Sequence, residues 1–395
     1  MENQTGPTEL NATDANRSWR LLGMSALLIA CIVGACSHVT EPITTSDQSP
    51  TDAASTDDAS DPMLSVNTLL PAPEDFALTR IGSHDFPIPP HAKYLEGVRI
   101  CIDPGHGGDA HKHGYKRGPT GVREAEMNLR VAQYLRDLLV HVGAEVKLTR
   151  EGDNDLSLAD RAKVADDWDA DLFISCHHNA TNNTEANRTT VWYHGTVDDR
   201  PDNLDLARHL CEGLFDSLQI PQLTGIPLKS DQLMYESGFG VLRAANKTAA
   251  LCETSFYTNP EEEQRLRDPE YNLREAYGMF MGLARYAAGG LPTASIKPAD
   301  DESPSQRTPR TLVFQLDDGL RSRNAWGSDR SMILKDSIAV RIDGERVPHE
   351  FSADTYELNI TIPDRIESGE HNATVQFENM FKHANTTPNF AITVD

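Results

Sequence analysis

Between residues 98 and 288, short apolar runs alternate with stretches of helical spacing, and this alternation limits the fold more than any other feature of the chain. Residues 98–102 form an apolar run closed by Asp103-Pro104-Gly105, after which Leu129, Ala132, Leu135, Leu138, Leu139 and Val142 recur on one helical face. Residues 145–149 and 172–176 read as strands with a helix over 158–168 between them. Residues 249–252 read as a further strand, followed by a helix over 271–288. Strands separated by helices of this length predict an α/β fold, a layered mixed sheet flanked by helices, because each connecting helix must bury its apolar stripe on the sheet.

On either side the pattern changes. Residues 37–70 are rich in Ser, Thr, Asp and Pro and lack Lys and Arg, so they bury too little apolar surface to order themselves; residues 36–70 are expected to be a tether. Residues 71–97 lead into the α/β domain over 98–290, and the proline-bearing stretch 291–309, with its Asp300-Asp301-Glu302 run, reads as a linker. From 310 to 395 the period becomes two, as in Tyr356, Leu358, Ile360 and Ile362, or Phe390, Ile392 and Val394. Asp343-Gly344 is a hairpin signal after Ile338, Val340 and Ile342. Short strands without helical spacing predict an all-β, Ig-like sandwich, for which no feature identifies a partner.

The N-terminus carries a processing signal. Arg17 and Arg20 precede an apolar run over 21–35, the length of a signal-peptide core, and the run ends in Val33-Gly34-Ala35-Cys36. Small residues before a cysteine resemble a bacterial lipobox, so residues 1–35 are expected to be removed and Cys36 to carry a lipid. That implies export to the cell envelope, anchored to a membrane. Cys101, Cys176, Cys211 and Cys252 are expected to be buried thiols, since most of them stand in apolar strand-like runs. With 60 acidic against 36 basic residues the formal net charge is −24, which argues against nucleic-acid binding, where clustered Lys and Arg are needed.

Candidate chemistry gathers where strands run out, the place where open α/β sheets bind ligands. His106 lies in Asp103-Pro104-Gly105-His106-Gly107-Gly108, Glu124 opens a helix, His177 and Asn179 follow the 172–176 strand, and Glu253 follows the 249–252 strand. Alone, His106 is a loop histidine, Glu124 a helix cap, and His177 a core histidine. Glu253 stands out on its own account, because a carboxylate closing an apolar strand is costly unless paired or metal-linked. Two His and one Glu make the open ligand set of a catalytic zinc, with another Glu left over as a base.

In order, these pieces resemble the zinc-dependent N-acetylmuramoyl-L-alanine amidases of the type-3 amidase family over residues 98–287. The resemblance rests on Ile102 to Gly108, Glu124 with Asn128-Leu129, Thr149-Arg150, Leu158 with Arg161, Ser175 to Ala180, Val241-Leu242-Arg243, and Glu253 with Asn259 to Glu262. It implies that His106, Glu124 and His177 bind Zn2+ and that Glu253 is the catalytic carboxylate. The implied reaction is hydrolysis, by zinc-activated water, of the amide joining N-acetylmuramic acid to L-alanine in peptidoglycan. Arg243 and Asn179 are candidates for orienting the substrate or polarising its carbonyl. His178 departs from the family, which usually has a small residue there. The loop before Glu124 holds His111, Lys112, His113, Lys116 and Arg117, either a solvated basic loop or a contact for substrate carboxylates. His194 and His209 read as structural or surface residues. A non-catalytic peptidoglycan-binding lipoprotein and a zinc peptidase acting on stem peptides remain alternatives.

Overall fold

The computed structural model describes residues 69–112, 114–221, 226–297, 310–320, 331–386 and 388–394. Cys36, the signal segment and nearly all of the tether lie outside the described residues, as do His113 and 298–309 of the expected linker.

Six strands form the first sheet: β1 (Arg99–Pro104), β2 (Glu145–Leu148), β3 (Leu172–Asn179), β4 (Thr190–Tyr193), β5 (Leu228–Ser230) and β6 (Thr248–Phe256). Their order is β2-β1-β3-β6-β4-β5. The pairs β1–β2, β1–β3 and β3–β6 are parallel, whereas β4 runs antiparallel to β6, so the sheet is mixed as expected. The helices are α1 (Phe76–Arg80), α2 (Glu124–His141), α3 (Leu158–Asp167), α4 (Pro201–Leu218), α5 (Gly240–Ala244), α6 (Pro260–Leu266) and α7 (Pro269–Ala288).

Alternation along the strands assigns the helices to faces. Ile100, Ile102, Ile174, Cys176, Ala250 and Cys252 pack with α2, α4 and α7, while Cys101, Phe173, Ala249 and Leu251 point the other way, toward α3 and α5. Burial on both faces explains why these strands read as unbroken apolar runs. Local signals start the helices: Ser157 accepts from the Asp160 amide ahead of α3, and Asn259 and Asp268 cap α6 and α7, each followed by a proline. Phe86, Ala92 and Leu95 of the lead-in enter the same core. Cys101, Cys176, Cys211 and Cys252 are all buried and unbonded.

The C-terminal part is all-β. β7 (Thr293–Ile296), β8 (Thr311–Asp317), β11 (His349–Ser352) and β12 (Glu357–Thr361) form one antiparallel sheet in the order β11-β12-β8-β7, and β9 (Ala339–Ile342), β10 (Glu345–Arg346), β13 (Gly369–Gln376) and β14 (Asn389–Val394) form another, β10-β9-β13-β14. Residues from both sheets, including Phe314, Leu358, Ile360, Val340, Val375 and Ile392, share one apolar core. Asp343 (φ 50) and Gly344 (φ 84) turn β9 into β10. The start of the expected linker is instead a strand, since β7 pairs antiparallel with β8.

The β module docks on the sheet's lower rim, where β6 begins. Thr248 Oγ1 donates to the Thr386 carbonyl at 3.3 Å, the Ala384 amide donates to Asp205 Oδ2 at 2.9 Å, and Asn379 Nδ2 donates to the Gly289 carbonyl at 2.8 Å. These contacts tie α4, β6 and the end of α7 to the loop between β13 and β14.

Candidate metal centre

The strand register brings the sequence candidates to one rim. Pro104 pairs with Cys176, and His177 with Glu253, so the chain leaves β1 beside His177 while β6 presents Glu253 one strand over. The loop from Gly105 to Arg123 crosses above them, and α2 begins at Glu124. At this rim His106 Nε2 and His177 Nδ1 each lie 3.1 Å from Glu124 Oε1. The two rings meet edge to face with centroids 4.8 Å apart. One ligand atom from each of the three residues falls within 4.8 Å of the others, the donor set of a divalent cation.

Tight backbone turns make this convergence possible. His106 (φ 60), Gly107 (φ 117) and Gly108 (φ 70) are successive left-handed residues, a costly conformation for a histidine that persists only where its surroundings impose it. Gly105 faces the His177 ring so closely that a Cβ there would collide with it. Arginines bind the loop's carbonyls: Arg161 Nη2 donates to His106 O at 2.7 Å, and Arg150 Nη2 donates to Gly105 O at 2.9 Å and to Ala125 O at 2.7 Å, which joins the loop to the start of α2. Asp103, fully buried, accepts from Arg161, Thr149 and Ser175.

Electrostatics favour the ligand-ready state. Burial alone would raise the Glu124 carboxyl, but hydrogen bonds to His106 and His177 hold it well below its ordinary value. Burial pushes His177 down, toward the neutral ring that binds a metal. Glu253 is pushed up to about 8, first by burial and then by the Glu124 charge, with Lys116 opposing. Its Oε2 is buried without a hydrogen-bond partner. Such an orphaned carboxylate oxygen beside three converging ligands is the group expected to handle a proton.

Asn179 ends β3 two residues beyond His177, with Oδ1 accepting from the Ala180 amide at 2.8 Å and its carbonyl accepting from Tyr257. Arg243 lies elsewhere. It donates to the Ser237 and Gly238 carbonyls and lines a groove of about 610 Å³ with His194 of the same domain and Arg341 and Asn389 of the β module. His194 follows β4, which runs antiparallel to β6, so this groove is on the rim away from Glu253. Arg243, a candidate for orienting the substrate or polarising its carbonyl, thus stands at the domain junction, apart from the converging ligand candidates. His209 also lies at the junction, beside His383.

A buried chain of polar groups behind the ligands was not read from the sequence. Asn128 Nδ2 donates to Gly105 O at 3.1 Å and lies 3.5 Å from Glu124 Oε1; its Oδ1 is 2.7 Å from His178 Nδ1. His178 Nε2 is 2.9 Å from Glu275 Oε1, which also accepts from Thr254 Oγ1 at 2.7 Å. Two signals were available: His178 in place of a small residue, and Glu275 on a helix whose neighbours Leu273 and Ala276 are core residues.

Residues 100–285 match the family model described as N-acetylmuramoyl-L-alanine amidase. The chain is 29% identical over 232 residues to N-acetylmuramoyl-L-alanine amidase AmiA of Escherichia coli K12, covering 50% of this chain and 79% of that protein. It is 29% identical over 208 residues to the germination-specific N-acetylmuramoyl-L-alanine amidase of Bacillus subtilis, covering 49% and 81%. Among solved structures it is similar to N-acetylmuramoyl-L-alanine amidase AmiC2 of Nostoc punctiforme, with 26% identity, 48% of this chain and 98% of that one covered, and a TM-score of 0.42.

Proposed function

We propose that this chain, whose residues 100–285 match the family model described as N-acetylmuramoyl-L-alanine amidase, hydrolyses the amide between N-acetylmuramic acid and the L-alanine of the peptidoglycan stem peptide. The observation that carries the reading is the meeting of His106 Nε2 and His177 Nδ1 on Glu124 Oε1, with the partnerless Glu253 oxygen on the neighbouring strand.

His106, Glu124 and His177 fit zinc, because two neutral imidazoles and a carboxylate are its catalytic ligand set and leave a position open. Zinc held there would supply a Lewis acid that polarises the scissile carbonyl and acidifies water. Glu253 takes the water's proton and delivers it to the leaving amine of L-alanine, a role suited to a carboxyl whose burial lifts it toward neutral pH. Asn179 orients the substrate through its side-chain amide, and the arginine-bound loop keeps His106 in place before substrate arrives. Retention of all three ligands and of Glu253 favours an enzyme over a non-catalytic binder.

The further readings complete the proposal. The signal segment and Cys36 support export and lipid anchoring to a membrane in the cell envelope. The two antiparallel sheets around one apolar core support an Ig-like sandwich for the C-terminal module. Mass spectrometry of purified peptidoglycan after digestion is the deciding experiment. Intact stem peptides released from glycan support the amidase, and shortened stems still attached would replace it with the peptidase.

A further inference from the structure

We propose that Lys116 is the receptor for a stem-peptide carboxylate, a subsite that makes the enzyme prefer an acidic residue next to the L-alanine it exposes. The inference rests on the amidase reading and adds a substrate preference to it.

The loop holding Lys116 is fixed at both ends. The Glu124 amide donates to the Lys116 carbonyl at 3.0 Å, and Arg117 forms an isolated bridge with Arg123. Lys116 takes a left-handed backbone (φ 47), which an L-residue adopts at a cost and which here directs its side chain back over α2. Its Nζ stands 3.4 Å from Glu124 Oε2, the oxygen not shared by the two histidines. The side chain is 31% exposed, so the ammonium sits at the mouth of the site, between its floor and solvent. Tyr115 flanks it, with Lys112 and Lys116 at 5.1 and 6.0 Å from the ring centroid.

The arginines near the site are already engaged. Arg117 donates to the carbonyls of Gly121 and Ala110, and Arg123 pairs with Asp109, Glu126 and Asp153. Arg150 and Arg161 are spent on the loop carbonyls and Asp103. Lys116, by contrast, has a long contact to one carboxylate oxygen and a wetted face, so it can take a second anion without losing a buried partner.

Charge favours such a group. The chain carries a net charge of −24, so an anionic substrate gains from a cation at the mouth of the site. In a stem peptide whose second residue is an acid, a carboxylate lies one residue beyond the L-alanine, within about 7 Å of the scissile amide along an extended chain. An ammonium directly beside the ligand cluster is placed to meet it.

The test uses two muropeptides that differ only at the second stem residue, one a free acid and the other a primary amide, with zinc-loaded full-length wild type, Lys116→Met and Lys116→Arg. Wild type should prefer the acid about tenfold in kcat/KM, mainly through KM, the size expected of one half-wetted charged contact. Lys116→Met should abolish the preference and Lys116→Arg should keep part of it. A binding readout independent of turnover comes from Glu253→Gln, which should bind the acid more tightly than the amide by calorimetry, a difference lost in Glu253→Gln/Lys116→Met. Equal losses on both substrates in Lys116→Met, or a wild type indifferent to the charge, would overturn the proposal while leaving the amidase reading intact. Release of no stem peptide from either substrate by wild type would remove the reading beneath it.

Discussion

His209 of α4 and His383 of the β module face each other across the domain junction, Nε2 to Nε2 at 3.0 Å. His383 Nδ1 lies 2.9 Å from the Gly290 carbonyl and donates to it, so when both rings are neutral its Nε2 is the acceptor and His209 Nε2–H the donor. The contact needs at least one neutral ring, since two imidazoliums would bring donor against donor. Burial, followed by His383, Arg208 and Arg285, lowers His209 to about 4. A histidine that is near 6.5 when unfolded and near 4 when folded takes up more protons on unfolding, so its contribution is complete above about 6.5 and is lost as pH falls toward 4. Asp205, raised to about 6 by burial, works in the opposite direction over part of this range. The two are separated by comparing melting temperatures of wild type and His209→Asn. Wild type should lose stability relative to the variant between pH 6.5 and 4, and a constant difference would show that the pair is not felt.

Glu124 and Glu253 should separate in metal content. Glu124→Ala should lose zinc and activity together, because two histidines hold the metal poorly. Glu253→Gln keeps the shape and should keep zinc while turnover falls about 10²- to 10⁴-fold, the usual cost of removing a general base. Elemental analysis beside muropeptide turnover checks both. Stoichiometric zinc in Glu124→Ala, or full activity in Glu253→Gln, would reverse the roles.

Gly105→Ala tests the backbone rather than a ligand. Its methyl would run into the His177 ring, so the ring must shift or the loop must open. The expected result is a folded protein with zinc affinity reduced at least tenfold, measured by competition with a chelator. Unchanged affinity would mean the loop yields more easily than its arginine clamps suggest.

A chain ending at Gly290 should still bind zinc and release stem peptides, because His106, Glu124, His177 and Glu253 all precede that point. It should melt lower than the full chain, since Asp205 and Thr248 lose partners in the β module. Calorimetry and turnover of the truncated chain give both answers, and an inactive but folded truncation would show that the module shapes the site.

The candidate ligands were legible because each stands at a strand end or a helix start, positions that periodicity locates before any tertiary structure is known. The surroundings of Arg243 were less legible. Its neighbours Val241 and Leu242 are buried, but the groove it lines is completed by Arg341 and Asn389 of the β module, which local periodicity does not place. The strand Thr293–Ile296 hid in the same way, being short, next to prolines, and dependent on β8 for its pairing. The chain from Asn128 through His178 to Glu275 joins α2, β3 and α7, segments far apart in sequence, and no local pattern reports that they meet.

The attachment of the β module at Thr248 has a topographic consequence. Glu253 lies five positions beyond Thr248 along β6, about 17 Å at the rise of a strand, so the docking contacts and the candidate metal centre occupy opposite rims. The module therefore stands behind the rim that carries Glu253, on the side facing away from the candidate metal centre.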